Sequence, residues 1–357
     1  MKIAVSGMNA QIGQLEGVNL CKAGTSPAMR CSSMQSTLSQ DFSGRVIAVV
    51  VTFNRKEMLI ECLEGLLHQT CRIGRIVLVD NASTDGTPER LAEAGYLANN
   101  LIDYVRLPVN GGGAGGFHEG MKRAYSAGYD WLWVMDDDVE PYPAALATML
   151  SYSNLSGCIQ GAEMYQDGER LAWEQWTYIE SSGARTSSEQ SFKNDYMSVG
   201  VGCFEGMLIR RDIVSKIGFP DKRFFIGGDD VAYGYLASKY TRILYTRRPC
   251  FIKKIKAPAP PDSALGRVRN RLRHHRSQRF YFLVIRNELL LYSYIHDAVQ
   301  PIRFYARIVA RLMRLSLITI LCERRFGNFC MLWKGAWRGL RPKSLDGKDC
   351  DVGQIPS

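Results

Sequence analysis

The segment that narrows the fold first is Val46–Thr52, Val-Ile-Ala-Val-Val-Val-Thr, with no polar side chain before its last position. Seven residues is strand length, β-branched side chains favour extended backbone, and the lack of alternation means that both faces are covered. Strands of this kind belong to parallel sheets packed between helices. The pattern repeats. Arg75–Val79 is a second such strand ending in Asp80, Leu101–Leu107 a third, and Trp131–Met135 a fourth. After the first, Met58, Leu59, Cys62, Leu63, Leu66 and Leu67 recur at helical spacing, with Asn54 as the expected cap. Asn81-Ala-Ser-Thr-Asp-Gly-Thr-Pro88 predicts a turn and a capped helix to about Tyr96. A glycine-rich loop, Asn110–Gly116, leads into a helix through Ala127. The expectation is an α/β fold: a Rossmann-like, mostly parallel sheet with flanking helices. At 357 residues, 46% of them apolar, the chain can bury such a core.

Beyond Pro141 the rhythm loosens. Gly157–Met164 and Met197–Arg210 are expected as strands, separated by a polar stretch with Trp173 and Trp176, and Arg211–Gly218 as a short helix. Pro258–Pro261 resembles a linker, followed by helical segments at about 270–297 and 301–322.

In parallel sheets of this type, ligands bind beyond the carboxyl ends of the strands. Thr52–Arg55, Asp80-Asn81, the glycine loop and Asp136–Asp138 all fall there. Three adjacent aspartates are costly unless a cation neutralises them. A hard divalent ion, Mn²⁺ or Mg²⁺, takes oxygen ligands and bridges them to a diphosphate, stabilising charge on a departing nucleoside diphosphate. The glycine loop contains Gly-x-Gly-x-x-Gly through Gly111, Gly113 and Gly116. A dinucleotide fingerprint should open the first strand–helix turn, which here is Thr52-Phe-Asn-Arg55, so an NAD(P)-dependent oxidoreductase is disfavoured. Close backbone approach to a sugar-phosphate, through glycines such as Gly112 and Gly113, or a flexible turn fits better. Asp229-Asp230 follows Gly227-Gly228 at a helix start and could act as a general base or as a helix cap. His118 could approach phosphate or stand exposed on its first turn, and His68 is expected on the surface.

In order, these segments resemble family-2 glycosyltransferases of the GT-A fold. Val50-Val-Thr-Phe-Asn-Arg55, Val79-Asp-Asn-Ala-Ser-Thr-Asp-Gly-Thr87 and Met135-Asp-Asp-Asp138 carry that likeness. Asn110-Gly-Gly-Gly-Ala-Gly-Gly-Phe117, Phe225-Ile-Gly-Gly-Asp-Asp230 and Tyr281-Phe-Leu-Val-Ile-Arg-Asn287 carry a closer one, to the galactofuranosyltransferase/rhamnosyltransferase-like branch. The resemblance implies a GT-A catalytic domain at 45–256, preceded by an extension at 1–44 and followed by a basic, amphipathic helical region at 257–343 and a tail at 344–357. It implies inverting transfer from a nucleoside diphosphate sugar, most often UDP-linked, to a hydroxyl of a glycan or lipid-linked glycan acceptor in cell-surface polysaccharide synthesis. By position, Thr52, Arg55, Asp80 and Asn81 would hold the nucleotide, with Asp80 at the base. Asp136, Asp137 and Asp138 would serve ribose, diphosphate and metal, with Asp136 and Asp138 as metal ligands and Asp138 the direct one. Asp230, beside Asp229, would deprotonate the acceptor, and Phe204 or Glu205 would border the acceptor pocket. Two positions depart from the family. The acid expected two residues past the base is Ala232, and the segment expected to carry a metal-binding histidine reads Cys250-Phe-Ile-Lys-Lys254. Lys253 or Lys254 could touch diphosphate there, or His274 or His275 could substitute.

Charge is uneven along the chain. Between Ser263 and Lys343 stand 17 Lys/Arg against Glu288, Asp297 and Glu323, a local balance of +14 beside +10 for the whole chain. Arg267, Arg269, Arg271, Arg273, Arg276 and Arg279 cluster ahead of an aromatic, Leu-rich helix. Arg303, Arg307, Arg311 and Arg314 recur at helical spacing. Leu312–Cys322 is too short to span a bilayer, so an interfacial segment on an anionic membrane is expected rather than a plain solvated face. Nucleic acid, the other partner of arginine clusters, is not expected, because no recognisable module accompanies them. Ten cysteines without a Cys-x-x-Cys pair exclude zinc fingers and ribbons, and the first 40 residues hold no apolar core behind basic residues. A reducing cytoplasm is therefore the expected setting, with the enzyme peripheral on the inner face of the cell membrane.

Overall fold

The computed structural model describes residues 42–170, 192, 194–256 and 276–341. The segment 1–41, Trp173, Trp176, the Pro258–Pro261 linker, Arg267, Arg269, Arg271, Arg273, His274, His275 and the tail from 342 lie outside those residues.

Four parallel strands form the first half of one sheet: β1 (Val46–Thr52), β2 (Arg75–Asp80), β3 (Ile102–Arg106) and β4 (Trp131–Asp136), side by side as β3-β2-β1-β4. Helices α1 (Lys56–Leu67), α2 (Thr87–Glu93) and α3 (Gly112–Ser126) make the crossovers. β1 is buried along its whole length, and its alternate residues serve two cores. Val46, Ala48 and Val50 pack with Leu59, Leu63 and Leu66 of α1. Ile47, Val49 and Val51 pack with Phe117, Met121 and Ala124 of α3. The sandwich of helices around a buried parallel sheet is the α/β arrangement that the unbroken apolar run predicts.

Beyond β4 the sheet becomes mixed, antiparallel except for the parallel pair β6 and β9. The next elements are β5 (Val139–Pro141), α4 (Ala145–Leu150), β6 (Cys158–Tyr165), β7 (Tyr196–Val199), β8 (Met207–Arg210), α5 (Arg211–Ile217), α6 (Asp229–Ser238) and β9 (Ile243–Lys253). β8 pairs antiparallel with β4, and β6, β9 and β5 continue the order, with β7 also on β9. The expected strand Met197–Arg210 is thus two strands. Residues 200–206 between them leave the ladder and reach the sheet's ligand edge.

The described chain ends in α7 (Gln278–Ile295), α8 (Pro301–Leu317), a π-helical turn (Ile318–Cys322) and α9 (Phe326–Gly339). The third helix was not expected from sequence. Tyr281, Ile285, Leu289, Phe304, Ile308, Leu315, Leu332 and Ala336 share one core among these helices. Among the described residues no helix is long and apolar enough to cross a membrane.

Two local expectations are corrected. Asn54 does not cap α1. It sits at φ 55° and its side-chain oxygen accepts from the Thr84 amide at 2.7 Å, while Asp85 accepts from Lys56 N at 3.2 Å. The turns after β1 and β2 are therefore bonded to each other. The glycine-rich segment is not a loop either, because α3 already begins at Gly112.

α7 and α9 meet closely enough that a Cβ on Gly335 would stand 2.0 Å from the Phe282 carbonyl oxygen. Gly335→Ala should therefore lower stability by about 1–3 kcal/mol, as overpacking does. An unchanged denaturant midpoint would show that the two helices do not pack this closely.

Candidate active site

The carboxyl ends of β1, β2 and β4 meet the N-terminus of α3, residues 203–205 and the start of α6 around a cavity of about 380 Å³. Of the residues expected at the site, Thr52, Arg55, Asn81, Gly112, Gly113, Asp136, Asp137, Asp229 and Asp230 line it, as do Phe204, Glu205, Phe225 and Arg279. Asp80 and Asp138 do not, although both lie just behind the wall.

Asn81 ties the glycine segment to β2. Its amide donates to Gly112 O at 2.8 Å, and its oxygen accepts from Gly111 N at 2.9 Å. Gly112 has φ +72°, and a Cβ there would lie 2.0 Å from the Phe225 carbonyl oxygen, which the Ala114 amide bonds at 3.1 Å. A residue without a side chain is needed at that contact, in the left-handed region. The Gly-x-Gly-x-x-Gly pattern thus serves helix-to-loop packing here, and its place after β3 removes the dinucleotide alternative.

Asp80 is fully buried. It accepts from Ser83 N and from the Tyr104 hydroxyl, both at 2.8 Å, and has Arg106 at 3.6 Å. Its carboxylate thus braces the turn after β2.

The three adjacent aspartates divide. Asp137 accepts from Thr52 Oγ1 at 2.7 Å and from Arg55 at 2.9 Å. Asp138 faces the other way and accepts from Lys253 Nζ at 2.7 Å, with Arg55 at 3.2 Å from its second oxygen. Among the described residues Asp136 makes no such ion pair, although the Lys253 charge still acts on it. Ligand oxygens of Asp136, Asp138 and Glu205 lie within 4.8 Å of one another. Burial pushes the Asp136 carboxyl well above the usual carboxylate range, and Asp138 and Glu205 add to it. Burial also raises Asp137, against the pull of Arg55 and Thr52. Burial alone would lower the Lys253 ammonium, but Glu205 and Asp138 outweigh it and hold it well above the ordinary lysine range.

Glu205 was expected only at an acceptor border. It belongs to the acid cluster instead, accepting from Lys253 at 2.7 Å. Buried Gln160 holds both ends of its loop, donating to Glu205 O at 2.8 Å and accepting from Cys203 N at 3.0 Å. The signal in sequence was a lone acid within the apolar and glycine run Val199–Ile209. Of the two candidate lysines only Lys253 enters the cluster. Lys254 points away, to Glu61 at 2.6 Å and to Glu140.

On the opposite wall Asp229 and Asp230 occupy the first turn of α6 behind Gly228, and Asp230 Oδ1 accepts from the Val231 amide at 2.8 Å, so Asp230 bonds the helix start as a capping residue does while it lines the cavity. Burial raises the carboxyls of both, Asp230 adding to the shift of Asp229 and Glu205 to that of Asp230. The loop before them is contorted: Phe225, Gly227 and Gly228 all have positive φ. It is held from α7. Buried Arg286 donates to Arg223 O at 2.6 Å and Phe224 O at 2.8 Å. Asn287 Nδ2 lies within 2.8–3.0 Å of Phe224 O, Ile226 O and Gly227 O. His118, one of the candidate phosphate contacts, instead bonds Pro220 O at 2.8 Å.

With this geometry in place, residues 47–218 match the profile of Glycosyl transferase family 2. Through that segment, just under half of its length, the chain is similar to this family. It is 33% identical over 195 residues to galactofuranosyltransferase GlfT1 of Mycolicibacterium smegmatis, and 35% over 194 residues to GlfT1 of Mycobacterium tuberculosis. The match covers 52% of this chain and only 63% and 62% of those relatives. In overall shape the chain is similar to a mannosyltransferase of Pyrobaculum calidifontis solved with GDP-Man and Mn²⁺, at 15% identity and a TM-score of 0.48, covering 90% of this chain and 87% of that one. TarS of S. aureus with UDP-GlcNAc follows at 16% identity and 0.46, covering 70% and 71%. The matched segment is a mixed α/β sheet with flanking helices, and α7 completes the wall that carries the second acidic pair.

Asn287→Leu should leave the Ile226 and Gly227 carbonyls short of a donor, while Phe224 O keeps Arg286, and lower stability by about 1–3 kcal/mol, the usual cost of a stranded buried polar group. Hydrogen exchange at residues 224–231 should quicken selectively. Unchanged protection there would mean that Asn287 does not set the loop.

Proposed function

We propose that this chain is an inverting glycosyltransferase that moves a sugar from a nucleoside diphosphate sugar to a hydroxyl of a glycan or lipid-linked glycan acceptor in cell-surface polysaccharide synthesis. UDP is the proposed carrier and galactofuranose the first sugar to test, on the strength of the GlfT1 relatives. The observation that carries the reading is one cavity with an acid cluster on one wall and Asp229-Asp230 at a helix N-terminus on the other.

In this reading the nucleotide lies against Thr52, Asn81 and the start of α3 at Gly112-Gly113. Asp80 acts through the Ser83 amide and the Tyr104 hydroxyl that it fixes. Arg55, 40% exposed, and Arg279, on the α7 side, supply positive charge toward the diphosphate. Asp136, Asp138 and Glu205 are all hard oxygen donors, and Glu205 Oε2 is buried without a hydrogen bond, which fits Mn²⁺ or Mg²⁺. When bound, such an ion offsets the charge that grows on the leaving diphosphate. Asp230 removes the acceptor hydroxyl proton as that oxygen bonds to the anomeric carbon, and the carbon–phosphate-oxygen bond breaks with its electron pair leaving on the nucleoside diphosphate. A carboxyl raised by burial suits a base working near neutral pH. The acceptor would enter along a second cavity of about 450 Å³, lined by Ile226, Gly227, Phe280, Leu283 and Val284 beside the same loop.

The membrane partner is proposed on the outer face of α8. Ile302, Val309, Met313 and Leu317 are exposed there, with Arg303, Arg307 and Arg314 exposed beside them and Trp333 and Trp337 exposed on α9. Arg311 leaves the expected basic face, because it pairs with Glu288 of α7.

Asp230→Asn should preserve UDP affinity in calorimetry and lower kcat by about 10²–10⁴. Because the base must be unprotonated, wild-type turnover should fall as pH drops through a value above the ordinary carboxylate range. An acid limb near pH 4, or a matching loss of UDP affinity in Asp230→Asn, would remove Asp230 from this role. Changing Arg303, Arg307 and Arg314 together to Gln should weaken binding to anionic vesicles on the order of 10²-fold, at about 1 kcal/mol per charge. Donor hydrolysis should stay level, and undiminished vesicle binding would leave these arginines as a solvated face.

A further inference from the structure

Lys253 ends β9 inside the acid cluster, 7% exposed, with its ammonium 2.7 Å from Asp138 Oδ1 and 2.7 Å from Glu205 Oε1. Arg55 stands 3.2 Å from the other Asp138 oxygen. Two of the three carboxylates able to share an ion therefore already face a fixed cation, and Asp138 faces one on each side. The Lys253 backbone is held between β6 and β5, and its side chain is buried.

We propose that Lys253 is the resident cation of this cluster and keeps a divalent ion out of it until a diphosphate arrives. An ion bound to Asp136, Asp138 and Glu205 would share two of its ligands with a buried ammonium. At that range, with little water between, like charges repel strongly. A diphosphate adds negative charge on the cavity side and reverses the balance. Lys253 is thus a positioning residue, touching the carboxylates and not the donor. The second half of the proposal, the role of the diphosphate, rests on the nucleotide-sugar reading of the cavity, whereas the first half concerns the metal alone.

The test is Mn²⁺ binding to the full chain, read by the electron paramagnetic resonance of free Mn²⁺, with and without UDP. Wild type should bind Mn²⁺ weakly without UDP and at least about tenfold more tightly with it. Lys253→Gln should bind Mn²⁺ at least about tenfold more tightly than wild type in the absence of UDP. Lys253→Arg, which keeps the charge, and Lys254→Gln, whose charge serves Glu61 and Glu140, should both behave as wild type. Wild-type Mn²⁺ affinity that UDP does not change, or a Lys253→Gln affinity equal to wild type, overturns the proposal. If Lys253→Gln does not fold, by circular dichroism, the wild-type pair of measurements decides. If UDP binds to none of these proteins, the nucleotide-sugar reading fails and takes the second half with it. A gain of Mn²⁺ by Lys253→Gln would then still support the first.

Discussion

Arg286 and Asn287 hold a loop that could not hold itself. Phe225, Gly227 and Gly228 all take positive φ within four residues, and a non-glycine residue in that region costs about 1–3 kcal/mol unless its surroundings over-determine it. The surroundings do so from two directions. α7 donates to the carbonyls of residues 223, 224, 226 and 227, and α3 donates to the carbonyl of Phe225 through Ala114. Three segments far apart in sequence, the glycine run, the Gly-Gly-Asp-Asp loop and the Arg-Asn pair, are one packed unit. The two acids of α6 stand where they do because of it.

On the other wall charge pairing joins hydrogen bonds to backbone, such as those of Gln160 to the Glu205 loop. Neighbouring aspartates cannot all remain ionised out of water without partners. Arg55 and Thr52 take Asp137, and Lys253 takes Asp138 and Glu205. Asp136 is left beside the cavity with its carboxyl pushed up by burial.

The parallel half of the fold was legible because strands covered on both faces need no phase: the apolar runs of β1, β2 and β4 name themselves. Their carboxyl ends followed, and with them most of the cavity wall. What escaped depended on contacts distant in sequence. Asn54 reads as a cap, but its oxygen is taken by Thr84, thirty residues away. Lys253 is the last residue of β9 and Lys254 the first beyond it, and no local pattern says which of the two meets the acids. That is decided by the pairing of β9 with β5 and β6. Asp80 was legible as an acid at a strand end, yet its carboxylate turns inward to Ser83 and Tyr104. α9 went unseen because much of its apolar surface, Phe326, Trp333 and Trp337, faces outward and blurs the helical period.

The C-terminal helices join these themes. α8 buries Phe304, Ile308 and Leu315 against α7 and α9 while exposing Ile302, Val309, Met313 and Leu317 on the far side. Arg311 crosses from α8 to Glu288, one residue after Asn287, so the outer helix is bonded next to the clamp itself. A partner that took up the outer face of α8 would press on the same packed unit that shapes the Asp229-Asp230 loop. On the proposed function, docking would therefore fix how the cavity faces its acceptor as well as where the enzyme sits.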